Sequence, residues 1–342
     1  MAIKFDIHLN VGKVYRTKKP GSVEMFYSGK EIAEFVNHYG ITHAVCIYDQ
    51  YENLKELIDN TSAKIYGVQW IVDKDQELDF GKEGWYGIKL HSHRGYRDAS
   101  KYDWSNTKKK GDRGSLSYGM DYSDKYIKDI LNTLPNEALV YMHTQGWPSV
   151  HNRARPEHLF MLATHFNNLK FIMGHSGMYG GIQTALPGLK EITTHIPKEF
   201  NIHQRSIRTW GDTVARFTES VWYSNILHNL FLDSSCYTPD KAIAYKKCDR
   251  WTIGSDYPFG KNKPRNSEGN GEDAHYSLDD FSKAYVWNFD KQYEKFVKVL
   301  GKEKVDQSFT NALDYINTPI EELGEIQKEK LQGIKDYIKS IT

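Results

Sequence analysis

Eight short runs of apolar or alternating residues recur along the 342-residue chain, and between them lie stretches whose apolar residues repeat at helical spacing. This alternation constrains the fold more than any other feature. A strand followed by a helix returns parallel to its predecessor, so the pattern predicts a parallel α/β sheet. The runs are Lys4–Val11, Ala44–Tyr48, Ile65–Ile71, Tyr86–His91, Leu139–Thr144, Lys170–His175, Leu230–Ser234 and Trp251–Asp256. Between the first two, Ser28–Tyr39 sets Ile32, Phe35 and Val36 on one helical face, and Gly40 follows to end the helix. The same spacing predicts helices over Tyr51–Asn60, Ser123–Leu134, Pro156–Asn167 and Lys291–Leu300. A doubly wound sheet more often has about five or six strands, so eight alternating units predict a (β/α)8 barrel.

Such a barrel typically needs about 250 residues, and the surplus falls in three long segments. They are Arg94–Tyr122, Met178–Asn229 and Tyr257–Asn288, following the fourth, sixth and eighth strands. Segments after strands lie at the C-terminal rim of a barrel, where active sites are built, and two of them, Arg94–Tyr122 and Tyr257–Asn288, are expected to form a lid. No linker or internal repeat divides the chain, which predicts one domain over residues 1–342 with a C-terminal helical extension over 302–342. The tail Pro319–Thr342 reads as an amphipathic charged helix, suited to capping the barrel or to a contact in a homo-oligomer.

Composition removes several classes of function. Hydrophobic residues make up 39% and aromatics 13%, enough to build a core and exclude global disorder. Mean hydropathy is -0.65 and no apolar run approaches a spanning length, so no membrane helix is expected. Asp6 precedes any apolar stretch that could serve as a secretory signal, and the expected compartment is the cytoplasm. Lys plus Arg number 45 against 44 Asp plus Glu, which gives no bulk field toward nucleic acid or anionic lipid. Cys46, Cys236 and Cys248 are scattered and show no CxxC spacing, so they are expected as buried free thiols.

Ionisable residues collect at the C-terminal ends of the expected strands. Asp6, His8 and Asn10 share one face of the first by period-two alternation. Lys89, His91 and His93 keep one parity at the end of the fourth, His143 ends the fifth, His175 the sixth, and Asp256 follows the apolar run of the eighth. If the strands close into a barrel these ends meet at one mouth, where neutral imidazoles and a carboxylate suit a divalent transition metal.

These motifs, in this order, resemble the amidohydrolase superfamily, and within it the amidohydrolase-related branch that includes aminocarboxymuconate-semialdehyde decarboxylase-like proteins. Asp6-Ile7-His8-Leu9-Asn10 stands where the branch has a DxHxH strand, and Gly87-Ile88-Lys89-Leu90-His91 is similar to its GxKLH strand. Tyr141-Met142-His143-Thr144 resembles its strand-five histidine segment, Phe171 to Gly177 its FxxGHxG segment and Leu232-Asp233-Ser234-Ser235 its LDxS strand. Gly254-Ser255-Asp256-Tyr257-Pro258-Phe259 matches GSDYPF, and Asn311-Ala312 falls where an NAxRLF helix closes the fold.

The resemblance implies a metal-assisted hydrolase or decarboxylase. It makes His8, His143 and Asp256 ligands of one metal, zinc or manganese, with Asp256 also moving protons and His175 polarising a carbonyl or steering water. Asn10 stands where the family has its second metal-binding histidine. An amide oxygen is a weaker ligand than imidazole, so a weak or empty site is expected unless His91 or His93 replaces it. Lys89, His91, His93, Arg94 and Tyr257 are expected to bind substrate. With Arg97, Arg205 and Arg208 the rim cations favour an anionic or polyhydroxylated small molecule. The leading expectation is hydrolysis of an amide, ester or lactone bond. Non-oxidative decarboxylation and a metal-free or inactive binding barrel stand as alternatives.

Overall fold

The computed structural model describes residues 2–14, 25–71, 76–91, 125–143, 156–177, 220–235, 239–258, 288–324, 331–332 and 336. Its centre is one nine-stranded sheet. The strands are β1 (Phe5–Val14), β2 (Met25–Tyr27), β3 (His43–Tyr48), β4 (Lys64–Trp70), β5 (Trp85–His91), β6 (Leu139–His143), β7 (Lys170–Gly174), β8 (Leu230–Asp233) and β9 (Trp251–Thr252). The order is β2-β1-β3-β4-β5-β6-β7-β8-β9. Only the β1–β2 pair is antiparallel; all eight expected runs are present as parallel neighbours. β2 has no signature in the sequence, because three residues carry no periodicity.

The sheet is curled, and the segment after β9 returns alongside β1. Beyond β9 the chain runs beside β1: Ile7 N donates to Ile253 O at 3.0 Å, Asp256 N to His8 O at 2.8 Å and Asn10 N to Tyr257 O at 2.9 Å. These bonds set the eighth parallel segment against the first and place Asp256 beside His8.

Helices cover the sheet, which is why β3 and β6 are buried on both faces rather than alternately. Helix α1 (Gly29–His38) starts with a capping box, Ser28 Oγ accepting from Glu31 N while Glu31 Oε2 accepts from Ser28 N, and buries Ile32, Phe35 and Val36. Helix α2 (Tyr51–Asp59) buries Leu54 and Leu57. Gly67 of β4 is needed there, since a Cβ at that position would lie 2.7 Å from the backbone oxygen of Gly84 as well as 2.5 Å from Leu54 Cδ2. Helices α3 (Lys125–Thr133) and α4 (Pro156–His165) follow β5 and β6, as expected. Two C-terminal helices, Phe289–Leu300 and Lys302–Asn317, pack Phe296, Phe309 and Tyr315 into the core.

No helix among the described residues is long and apolar enough to cross a membrane. Cys46 and Cys248 are buried free thiols. Arg94–Tyr122, most of Met178–Asn229 (178–219) and most of Tyr257–Asn288 (259–287) lie outside the described residues, as does the lid expected of them. Of the tail expected as a helix, the described part is the 3₁₀ turn Ile320–Glu322 and helical residues at 331–332 and 336.

Candidate active site

His8, His175 and Asp256 come together where the strands end. One donor atom from each lies within 4.8 Å of the others, and all three residues are buried. Local backbone geometry puts them there. Asp6 Oδ1 accepts from His8 N at 3.0 Å and from Ser255 N at 2.9 Å, so this buried carboxyl joins the two segments that carry His8 and Asp256. Burial pushes the Asp6 carboxyl up to about 7, against those same bonds. At the end of β7, His175 and Ser176 both take φ 53° and Gly177 φ 83°, a left-handed turn that is uncommon for a histidine. Asp256 takes φ 52°. Gly254 is required here, because a Cβ would lie 2.1 Å from Asp233 Oδ1.

Asp233 at the end of β8 organises the two imidazoles. Its Oδ2 accepts from Tyr141 OH at 2.6 Å, from His175 N at 2.8 Å and from Ser235 Oγ; its Oδ1 accepts from Ser235 N at 2.7 Å. His8 Nδ1 lies 2.8 Å from Tyr141 OH, 3.0 Å from Asp233 Oδ2 and 3.1 Å from Ser235 Oγ. Tyr141 and Ser235 both give their protons to Asp233, so their oxygens accept, and the His8 proton belongs on Nδ1. Ser235 Oγ is also 2.7 Å from His175 Nδ1, and the same reasoning puts that proton on Nδ1. Nε2 is then the nitrogen each ring would present to an ion, an orientation by outer hydrogen bonds typical of metal sites.

The carboxylate side is charged differently. His8 Nε2 faces Asp256 Oδ1 at 3.1 Å, and Asn10 Nδ2 donates to the same oxygen at 3.0 Å. Burial raises the Asp256 carboxyl above its ordinary range; Asp233 adds to that, while His8, Asn10 and Lys89 oppose it. A lone pair facing a carboxylate at this distance calls for a proton or a cation. Two imidazoles and one carboxylate form a donor set that a divalent transition metal accepts.

His143 is buried beside the trio, its ring edge-on to His175 at 4.7 Å between centroids, and is not one of the three converging donors. Asn10 meets Asp256 through its N–H rather than through its oxygen. Lys89 sits with Nζ 3.8 Å over the Tyr141 ring centroid, and burial brings its ammonium from 10.5 down to about 7, with Asp256 and Asp233 acting in the opposite sense. His91 ends β5 in register with His143. The Tyr257 ring stacks on Phe35 of α1 at 3.8 Å. His93, Arg94, Arg97, Arg205 and Arg208 lie outside the described residues. The sequence motifs alone give no role to Tyr141, Asp233 or Ser235. The available signal was an aspartate closing the apolar run Leu230-Phe231-Leu232, as Asp256 closes its own.

No protein-family model matches the chain, and neither does any curated protein sequence. Among solved structures the chain is similar to a probable 2-pyrone-4,6-dicarboxylic acid hydrolase from Acinetobacter baumannii, at 11% identity and a TM-score of 0.47 over 92% of this chain and 98% of that one. It is similar to Amidohydrolase 2 from Bifidobacterium longum subsp. infantis at 10% identity and a TM-score of 0.47, over 93% of this chain and 99% of that one. A third is a putative 2-pyrone-4,6-dicarboxylic acid hydrolase from Pseudomonas putida, at 12% identity and a TM-score of 0.42 over 90% and 98% of the two chains.

Proposed function

We propose that this chain is a hydrolase on a (β/α)8 barrel, cutting an amide, ester or lactone bond in a small polar or anionic molecule with the help of one divalent metal, zinc or manganese. The observation that carries the proposal is the convergence of His8, His175 and Asp256 within 4.8 Å, with both imidazoles oriented through Asp233 and Ser235. His8 and His175 would hold the ion through Nε2 and Asp256 through a carboxylate oxygen. When bound, such an ion polarises a carbonyl and brings the pKa of water toward neutrality.

The chain's own groups do the rest. Asp256 takes the proton of the attacking water on its carboxylate and hands it to the leaving atom, a role that its raised pKa favours. Asn10 steadies that carboxylate through Nδ2. His143 stands beside His175, close enough to the trio to donate toward a developing oxyanion. Asp233 holds His8 and His175 in their tautomers.

One observation favours a second reading, hydrolysis without metal: Asn10 turns an N–H toward Asp256, and the Lys89 ammonium already places positive charge near both aspartates. Elemental analysis of protein purified without chelator, with hydrolysis of ester, lactone and amide panels before and after chelation, decides between the two. Metal near one equivalent and activity lost on chelation support the first reading. Activity that survives chelation supports the second. No hydrolysis with zinc or manganese supplied overturns both, and CO2 release from a carboxylic acid in its place would make the site a decarboxylase.

A further inference from the structure

Lys89 is 3% exposed and stands on β5 in register with Trp70 of β4 and Tyr141 of β6. Its ammonium lies over the Tyr141 ring face, and among the described residues it makes no hydrogen bond and no ion pair. An ammonium carries three N–H donors, and burying them without an oxygen acceptor is unfavourable. A ring face answers part of the charge but does not replace an oxygen. The nearest carboxylates are engaged elsewhere. Asp233 takes Tyr141, Ser235 and the His175 backbone, and Asp256 Oδ1 takes Asn10 and faces His8. Lys89 is thus a buried cation beside the candidate reaction centre, with no oxygen partner among the described residues.

We propose that Lys89 is the anchor for a carboxylate group of the ligand, so that the substrates of this site are small carboxylic acids, held by that group while the bond to be cut lies against His8, His175 and Asp256. The position of the cut bond rests on the hydrolytic reading above; the anchor itself does not. Tyr141 links the two, since its ring lies under Lys89 and its hydroxyl contacts His8 and Asp233. A lysine bonded to a carboxylate in a buried site makes charge-assisted hydrogen bonds, each worth roughly a tenfold to hundredfold change in affinity.

The test is equilibrium binding by calorimetry or ligand-observed NMR at about pH 6.5, where the Lys89 ammonium is largely protonated. The probes are glutarate and benzoate, each against its methyl ester. Wild type is expected to bind at least one acid about tenfold or more tightly than its ester, and Lys89→Met to lose that preference. Lys89→Arg, which keeps the charge, is expected to retain part of it and serves if the methionine variant does not fold. Acids and esters binding alike, no binding of either acid, or a Lys89→Met variant with its preference intact would each overturn the anchor. Hydrolysis is assayed on wild type in parallel. Carboxylate binding without hydrolysis removes the hydrolase reading alone, and hydrolysis indifferent to the carboxylate removes the anchor alone.

Discussion

Among the described residues two lysines are almost fully buried, Lys170 at the start of β7 and Lys89 toward the end of β5, and their surroundings are opposite. Lys170 Nζ donates to Ile316 O at 2.8 Å and Thr318 O at 2.7 Å and pairs with Glu137 Oε2 at 2.8 Å. It satisfies the last carbonyls of the helix Lys302–Asn317 and fastens that helix to the sheet. Lys89 has the face of Tyr141 and, among the described residues, no oxygen partner. One end of the parallel strands is saturated with partners and holds the fold. The other leaves a cation, a raised carboxyl and two left-handed residues among its reactive groups, which is where an active site keeps its strain and unmet charge.

The largest expected effect lies at the unsaturated end. Asp256→Asn keeps shape and the contact with Asn10 but removes the base, and turnover should fall by roughly two to four orders of magnitude with little change in unfolding. Unimpaired turnover would take the proton-transfer role from Asp256. At the saturated end, Lys170→Met should leave the chemistry alone and cost stability. The buried Ile316 carbonyl, the partly buried Thr318 carbonyl and Glu137 lose their donor, a loss of about 2–4 kcal/mol by urea denaturation, moderated because Glu137 is partly exposed. A Lys170→Met protein as stable as wild type would break the contrast between the two ends.

Between these lies Asp233→Asn. Both carboxylate oxygens accept, Oδ2 from Tyr141, Ser235 Oγ and the His175 backbone and Oδ1 from Ser235 N, so an amide must turn an N–H toward one of these donors, and His8 and His175 lose their fixed orientation. Turnover or metal affinity should fall about 10- to 100-fold while the sheet persists. Equal turnover and metal retention would show that the imidazoles are held by packing alone.

How far the sequence reveals this division depends on the range of the interaction. All eight parallel strands were legible because apolar runs are local and the sheet is buried on both faces. The positions of His8 and Asp256 were legible because period-two parity and a terminal acid after an apolar run are also local. Tyr141, Asp233 and Ser235 were not, because nothing near Tyr141 in the chain announces that its hydroxyl meets an aspartate 92 residues away. Asn10 illustrates the same limit. The sequence marks a missing histidine, while the direction in which the amide turns follows from Asp256, 246 residues later. Lys89 was legible as a cation in a strand, but its lack of an oxygen partner among the described residues is a property of β4, β6 and β8 together.

The smallest expected effect is the one that reads the Lys89 environment most directly. Its ammonium titrates near 7 in the fold against 10.5 ordinarily, so between those values the unfolded chain holds a proton that the folded chain has released. Stability from this group therefore rises with pH across that window, and the full penalty of burying the charge is present below about pH 7. Asp6, raised from 3.8 to about 7, works in the other direction: the fold keeps its proton longer than the unfolded chain does, so its contribution falls as pH rises between those values. That contribution is common to wild type and Lys89→Met, and above about pH 7 it no longer changes. The difference between the two proteins reports the lysine together with its effect on Asp256, whose carboxyl Lys89 helps to hold down. Lys89→Met should be more stable than wild type near pH 6.5, and the gain should shrink as the pH approaches 10. Urea denaturation of both proteins across that range checks it. A gain that does not vary with pH, or a variant less stable than wild type below pH 7, would mean that Lys89 is already partnered by oxygen, and the two ends of the sheet would then be alike.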